Sequence, residues 1–178
     1  MTVTEIKIDA QLMTGTQIAD ATAILYINKG IEGLVKKYPN AATLNETVIE
    51  VTDITEYYAI PTDILKIESV VDSHGNRLKS RHFVFEDDTI KIDFTGTFTV
   101  KYREYPASMV AVEDTIPIPR VFQSPLANYL AYRESMKFYG ANYPDTQKHL
   151  AMFWALEQEA KSNYRRKKPR IIKPYYND

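Results

Sequence analysis

The pattern of residues 124–178 predicts two consecutive helices and a terminal tail, and the rest of the fold is interpreted from it. These residues are SPLANYLAYRESMKFYGANYPDTQKHLAMFWALEQEAKSNYRRKKPRIIKPYYND. Ser124 followed by Pro125 is typical of a helix start, since a hydroxyl can cap a free backbone N–H and proline has no N–H to leave unpaired. Apolar side chains then recur at helical spacing until Gly140, which favours a helix end. A turn at residues 142–145 precedes a second helix over about 146–164, and so short a connection predicts an antiparallel pair.

The end of the chain is basic, whereas the rest is acidic. Residues 161–178 contain seven basic residues and a single acidic one, Asp178. The other residues hold 15 basic and 22 acidic side chains, a formal charge of −7. Pro169 and Pro174 each interrupt a helix and bias the preceding residue toward an extended conformation. We therefore predict an acidic body that carries an extended basic tail over residues 165–178.

Length and composition set the broad class. A chain of 178 residues with 44% hydrophobic residues can bury the core of one domain. The absence of cysteine excludes disulfides, thiolate zinc sites and cysteine nucleophiles. We see neither an uninterrupted apolar segment of membrane-spanning length nor a signal peptide at residues 1–20, so we expect no membrane partner and synthesis in the cytoplasm.

The first 42 residues are expected to contribute one helix to a helical layer. Residues 1–15 alternate weakly, which fits a short edge strand or an arm that a partner orders. Thr16 can cap a helix that runs to Tyr38 and ends at Pro39, with an apolar stripe formed by Ile24, Ile27, Ile31, Leu34 and Tyr38. Gly30 and Gly33 within it indicate either close packing against a neighbour or a tolerated cost of roughly 1 kcal/mol each.

Residues 43–106 change to the two-residue period of β-strands. Short strands are predicted at residues 47–52, 57–60 and 64–72, with a turn at residues 74–76. Residues 90–102 then predict a hairpin with its turn at Thr95 and Gly96, because odd positions are polar and even positions are apolar. The apolar positions are Ile90, Ile92, Phe94, Phe98, Val100 and Tyr102. A further turn is predicted before it, at residues 86–88.

Together these patterns predict an α+β fold. The N-terminal helix and the two C-terminal helices form a helical bundle. Residues 43–106 are inserted as an antiparallel sheet or a small sandwich. A proline-containing linker and the two helices occupy residues 107–164, and the extended tail follows.

No pattern typical of a catalytic or cofactor site is present. The six glycines do not form a phosphate loop, a dinucleotide-binding motif or a nucleophile elbow. His74, His82 and His149 are interpreted as solvated rather than as metal ligands, and Asp87 with Asp88 as a polar turn. Trp154 is expected in a core or an interface. Thirteen tyrosines suit a surface that assembly buries, with a tyrosine-rich core as the alternative.

Three segments in order resemble the head-to-tail adaptor proteins of tailed bacteriophages, also called neck or head-completion proteins, including the tail tubular adaptors. The segment ILYINKGIEGLVKKYPNAA, residues 24–42, resembles a family helix with a central asparagine and a proline exit. The segment YYAIPTDILKIESV, residues 57–70, is similar to one that leads into a strand. Residues 90–106, ending in VKYREYP and followed by a proline linker and a helix, resemble the closing hairpin and return helix.

The resemblance, which spans residues 24–139, implies a non-enzymatic virion protein with no cofactor. It implies a closed ring of about twelve copies at the head-to-tail interface. Its partners would be the portal protein and a tail protein or second neck protein, with genomic DNA passing through the channel without specific binding. The alternatives are a nucleic-acid-binding module that uses the basic tail, and an enzyme whose site carries no recognised motif.

The tail is the candidate docking arm for the portal or for a neighbouring subunit. Arginine can form two-pronged hydrogen bonds to carboxylates, and aromatic side chains dominate the energy of many interfaces. A solvated tail without a partner is the alternative. The predicted partner-binding residues are Arg165, Arg166, Lys167, Lys168, Arg170, Ile171, Ile172, Tyr175 and Tyr176.

Overall fold

The computed structural model describes the backbone of residues 1–166 and the side chains of residues 1–164. The described residues have an α+β fold, as predicted. They divide into a helical unit, formed by Met1–Gly30 and the residues from Met109 onward, and a β unit, Ile31–Ser108. The helices are α1 (Val3–Thr14), α2 (Asp20–Lys37), α3 (Ser124–Tyr139) and α4 (Pro144–Arg166), and the strands are β1 (Leu44–Val51), β2 (Tyr58–Ala59), β3 (Ile64–Asp72), β4 (Phe83–Glu86), β5 (Thr89–Ile92) and β6 (Gly96–Glu104).

Helix α1 replaces the edge strand or arm that we predicted for residues 1–15. The Thr2 hydroxyl accepts a hydrogen bond from the Glu5 N–H at 3.3 Å, and the Glu5 carboxylate accepts one from the Thr2 N–H at 2.8 Å. This reciprocal capping box satisfies two backbone donors that a helix start otherwise leaves free. Gly15, with φ 66°, ends the helix. The prediction was wrong because it followed Ile8, which is exposed, instead of the buried helical series Val3, Ile6 and Ala10.

Helix α2 forms where the apolar stripe predicts it, but it begins at Asp20 rather than next to Thr16. Ile27, Ile31 and Leu34 of the stripe are buried, and Pro39 follows the end of the helix as predicted. Helix α1 and the first part of α2 both belong to the helical unit. The bundle was predicted with one N-terminal helix, and α1 is therefore an additional helix in that unit.

The linker that follows the sheets is held by the chain start. The Thr4 N–H donates to the Val112 carbonyl at 2.9 Å, and the N-terminal ammonium donates to the Gln123 side-chain oxygen at 3.1 Å. The amide nitrogen of the buried Gln123 donates to the carbonyls of Ile116 and Ile118, at 3.2 and 2.7 Å. Gln123, not Ser124, precedes the first residue of α3, and its side chain makes no capping hydrogen bond.

Helices α3 and α4 form the predicted antiparallel pair. The ring of Tyr129 lies 5.3 Å from that of Phe153, and Phe122, just before α3, lies 5.4 Å from Tyr164 near the end of α4. Gly140, with φ 83°, ends α3, and its N–H donates to the Met136 carbonyl. Helix α4 continues to Arg166, so the backbone of Arg165 and Arg166 is helical rather than extended. Arginine favours helices, and the first proline comes only at position 169.

The two glycines of α2 have different surroundings. A Cβ built on Gly30 would lie 2.9 Å from Cδ2 of Leu126 and 3.0 Å from Cδ1 of Tyr129 in α3. Gly30 therefore lets α2 and α3 approach closely. A Cβ built on Gly33 would have no atom within 4 Å, so close packing does not explain this glycine. Gly33 therefore only lowers the helix propensity of α2.

The β unit is a small sandwich of two antiparallel three-stranded sheets, with strand orders β1-β6-β3 and β2-β5-β4. The inner faces share one core: Ile49, Val51, Ile60, Val70, Ile90, Ile92, Phe98 and Val100. The turn at Asp87 and Asp88 joins β4 to β5 as predicted, with Asp87 at φ 48°.

The predicted hairpin between residues 90–94 and 98–102 does not form. Strand β5 pairs with β2 and β4, whereas β6 pairs with β1 and β3 in the other sheet. The alternation correctly identified most of the buried side chains, although Phe94 is half exposed. Two strands that face one core from opposite sheets show the same alternation as a hairpin, because a strand has a two-residue period in either arrangement.

Candidate interaction surfaces

The predicted partner-binding residues fall at or beyond the end of the described structure. Arg165 and Arg166 lie on the last turn of α4, and their side chains are outside the described part of the chain. Lys167, Lys168, Arg170, Ile171, Ile172, Tyr175 and Tyr176 lie outside the described residues altogether. The docking role of the tail therefore stays a prediction.

Three exposed aromatic residues meet at the connection between α3 and α4, and we call this cluster the aromatic turn: Phe138, Tyr139 and Tyr143. Phe138 is 57% exposed and Tyr139 is 55% exposed. The rings of Tyr139 and Tyr143 stack at 4.8 Å with an angle of 25° between their planes. Aromatic rings that pack on one another in contact with solvent are typical of surfaces that a partner covers. We did not single these residues out from the sequence, although FYGANY at residues 138–143 concentrates three aromatic residues at a glycine turn.

A second apolar surface lies on the outer side of α1, and we call it the α1 apolar face: Ile8, Leu12 and Met13. Leu12 is 79% exposed, and the other two side chains are each more than two-fifths exposed. Ile8 and Leu12 line a shallow cavity of about 320 Å³ together with Gly15, Thr16 and Gln17. The opposite side of α1 supplies Val3, Ile6 and Ala10 to the core. Helix α1 is therefore apolar on two sides, which is unusual for a helix exposed to water.

Most of the described tyrosines are half-buried, and the single tryptophan is half exposed. Of the eleven tyrosines among the described residues, only Tyr102 is buried. Most of the others are half-buried, and Tyr58 packs against the sandwich core, so the assembly surface and the tyrosine-rich core both stay predictions. Trp154 on α4 is half exposed and packs against Phe153 with ring centroids 5.0 Å apart. It is consequently not a core residue.

The three histidines lie in different environments. Among the described residues, no group of three or more histidine, aspartate and glutamate side chains could hold a metal ion. His74 is exposed, and the His82 ring lies 3.8 Å from the Asp93 carboxylate. His149 on α4 is buried, so the prediction that it is solvated was wrong. Burial lowers the pKa of His149; Lys148 also lowers it, while Asp145 raises it.

The unfolding free energy of the protein should fall at acid pH partly because of His149. Its folded-state pKa lies below the ordinary value of 6.5. The stabilisation from the neutral buried ring is therefore complete above pH 6.5 and is lost as the pH falls toward the folded-state pKa, by up to about 1.4 kcal/mol per pH unit. Urea unfolding at pH 7.5 and 5.5 should show a smaller loss for His149→Gln than for the wild type. His74→Gln, which removes an exposed histidine, should behave like the wild type; equal losses in all three proteins would contradict the assignment.

The comparisons with known proteins leave the family open. No model of a known protein family matches the chain, and no curated protein matches it. None of the helices within residues 1–166 combines the length and the apolar character that crossing a membrane requires. A functional assignment therefore depends on the two apolar surfaces, the charge distribution and the resemblance carried by residues 24–139.

Proposed function

We propose that this chain is a structural subunit of the head-to-tail connection of a tailed bacteriophage. Copies of it form a closed ring between the portal of the capsid and a tail or second neck protein, and the ring extends the DNA channel. The chain acts in the virion without catalysis and without a cofactor. The observation that carries the proposal is that the helical unit exposes two different apolar surfaces, the aromatic turn and the α1 apolar face.

Two different surfaces are what a ring requires. In a cyclic assembly with more than two members, each subunit presents one patch to the neighbour on one side and a different patch to the neighbour on the other. A dimer with twofold symmetry uses only one patch, which faces its own copy. The aromatic turn belongs to the α3–α4 connection and the α1 apolar face to the first helix, so they are separate in sequence and chemistry. One would contact the other on the next subunit.

The order of the elements also supports the proposal. Residues 24–139, which carry the resemblance to the adaptor family, run from α2 through the sandwich to the end of α3. That resemblance implies a helix, then a β region, and then a return helix. The acidic excess of residues 1–160 disfavours tight contact with duplex DNA, because strong phosphate binding needs continuous clusters of lysine and arginine.

The test is assembly with the cognate portal, observed by electron microscopy. We expect wild-type chains mixed with portal rings to form a closed ring on one face of the portal. Leu12→Glu and Tyr139→Glu should each prevent the ring, because a charge would have to be buried at an apolar contact. Val110→Glu is the matched control, since Val110 is 83% exposed and belongs to neither surface.

Two results would contradict the proposal. One is that the chain forms no ring on the portal under any condition but binds DNA through its tail, which is the behaviour of the nucleic-acid-binding alternative. The other is that both glutamate variants form rings as readily as Val110→Glu, which would remove the two apolar surfaces from the interface.

A further inference from the structure

A cleft with a basic wall opens at one edge of the sandwich. It has a volume of about 480 Å³ and lies between the connection from β3 to β4 and the connection from β5 to β6. The end of β3 and the first connection supply Asp72, Arg77, Lys79, Arg81 and His82, and the second connection and the start of β6 supply residues 94–98. Its size is within the range of small-ligand sites.

The backbone on the basic side is fixed by a tight turn. The Asp72 carboxylate accepts hydrogen bonds from the N–H groups of His74 and Asn76, at 2.9 and 2.8 Å, and from the Asn76 side chain at 3.1 Å. The chain then runs back along β3, where the Leu78 N–H donates to the Val70 carbonyl at 2.8 Å. Leu78 packs against the sandwich core. Because side chains alternate along an extended segment, Arg77 and Lys79 on either side of it point away from that core.

The cleft gathers positive charge in an acidic unit. Residues 31–108 contain 13 acidic and 9 basic side chains, and three of the nine basic ones line the cleft. Asp72 also lines it, and the hydrogen bonds of the turn hold the pKa of its carboxyl below the ordinary value, so it adds one negative charge to the cleft. Lys79 forms no ion pair with any residue of the described chain. The Arg77 guanidinium donates to the Glu68 carbonyl, and Nε of Arg81 donates to Nε2 of His82 at 3.1 Å. Both acceptors are uncharged atoms, so the three positive charges outnumber the one carboxylate that lines the cleft.

An exposed aromatic ring also lines the cleft. Phe94 follows β5 and is 48% exposed, whereas Ile90 and Ile92, the two preceding apolar residues of the alternating pattern, are fully buried. Its ring lies 5.0 Å from the ring of His82, which also lines the cleft. The Asp93 N–H donates to the His82 carbonyl at 3.0 Å and so joins the two connections. The cleft thus combines fixed cations with an exposed aromatic face.

We propose that this cleft binds a nucleotide unit, with its phosphate held by Arg77, Lys79 and Arg81 and its base against Phe94. Guanidinium and ammonium groups are the usual partners of phosphate oxygens. Stacking on an aromatic side chain tolerates any base, so the site is independent of sequence. The shared chemistry fits a free nucleotide and a nucleotide within an unpaired strand. This role goes beyond the ring proposed above, which needs no ligand in the β unit.

The test uses the full-length chain labelled with ¹⁵N and titrated with thymidine 5′-monophosphate, with a hexamer of deoxythymidine and with inorganic phosphate. We expect saturable amide shifts in residues 72–82 and 93–98. Lys79→Glu should weaken nucleotide binding about tenfold, as expected for a lost charge-assisted hydrogen bond. Lys29→Glu is the matched control, because it makes the same charge change at an exposed position of α2 outside the cleft. Phe94→Ala should weaken binding of the nucleotide but not of inorganic phosphate.

The outcomes separate the two sources of the ligand and can overturn the site. Tighter binding of the hexamer than of the mononucleotide would identify an unpaired strand, and equal binding a free nucleotide. Absence of saturable shifts in these two connections, or equal weakening by Lys79→Glu and Lys29→Glu, would overturn the proposal. Ring formation on the portal is measured separately, so the two proposals fail independently.

Discussion

A chain shortened to residues 1–166 should keep its fold and lose its attachment to capsids that carry the portal. The deleted segment contains Lys167, Lys168 and Arg170, which can pair with an acidic partner, and the apolar anchors Ile171, Ile172, Tyr175 and Tyr176. Buried aromatic and arginine side chains often contribute 2 kcal/mol or more each to an interface. The loss of several should weaken attachment roughly a hundredfold or more.

The position of the cut matters because α4 extends to Arg166. A cut after Ala160 would also remove Tyr164, whose ring lies 5.4 Å from that of the buried Phe122. It would therefore disturb the helical unit as well as remove the tail. Ending the chain at Arg166 leaves every described contact in place.

Attachment can be measured by co-sedimentation with portal-bearing capsids, and folding by circular dichroism and urea unfolding. Two full-length variants separate charge from apolar contact. One replaces Lys167, Lys168, Arg170 and Lys173 with glutamine, and the other replaces the four apolar anchors with serine. We expect the first to bind more slowly and the second to dissociate faster, because charge mainly governs association and buried contacts govern dissociation. If the shortened chain still attaches and completes infectious particles, the tail is not the segment that binds the portal.

Gly30→Leu should destabilise the helical unit strongly. The first added carbon would already lie 2.9 Å from a side-chain carbon of Leu126, which is fully buried, and 3.0 Å from Tyr129. The rest of the leucine would have to displace these two side chains of α3. Overpacking of this kind costs about 1–3 kcal/mol, more than the roughly 1 kcal/mol that leaving glycine gains for the helix. Urea unfolding should show a net loss in the unfolding free energy.

Gly33→Ala in the same helix is the control for helix propensity. Nothing lies within 4 Å of its new carbon, and the position is exposed, so it should stabilise the protein by about 0.5–1 kcal/mol. Opposite signs for the two substitutions would identify the close approach of α2 and α3 as the cause. If Gly30→Leu is as stable as the wild type, Leu126 and Tyr129 yield easily and the contact is not tight.

Sequence patterns predicted the helices with long apolar series but missed α1. Its signals are present, since Thr2 and Glu5 stand at capping-box spacing and Val3, Ile6 and Ala10 follow a helical period. The exposed Ile8 obscured them, because it adds an apolar residue two positions after Ile6 and so imitates a strand. Local periodicity is ambiguous when both sides of a short element are apolar.

The sequence also identified most buried strand residues without identifying their partners. Alternation places Ile92 and Phe98 inside, but it contains no information on which sheet each strand joins. Glu134 and Glu157 are buried on α3 and α4, although charged side chains are expected on the wet side of a helix. The basic cleft depends on residues from separate connections, so only the folded chain brings them together. The aromatic turn lies within residues 138–143, and its stacking, rather than its composition, is what only the structure shows.

Strand β6 is the last strand in the chain, yet it lies between β1 and β3 and bonds to both. During synthesis on the ribosome, β1 and β3 therefore have no partner between them until residues 96–104 have emerged. Helix α1 docks even later in synthesis, because its first turn forms hydrogen bonds with the carbonyls of Val112 and Asp114 and with Gln123. Unpaired strand edges and exposed apolar surface promote aggregation. Each unit consequently exposes strand edges or apolar surface to self-association until its later residues have emerged, the β unit until β6 and the helical unit until the residues that anchor α1.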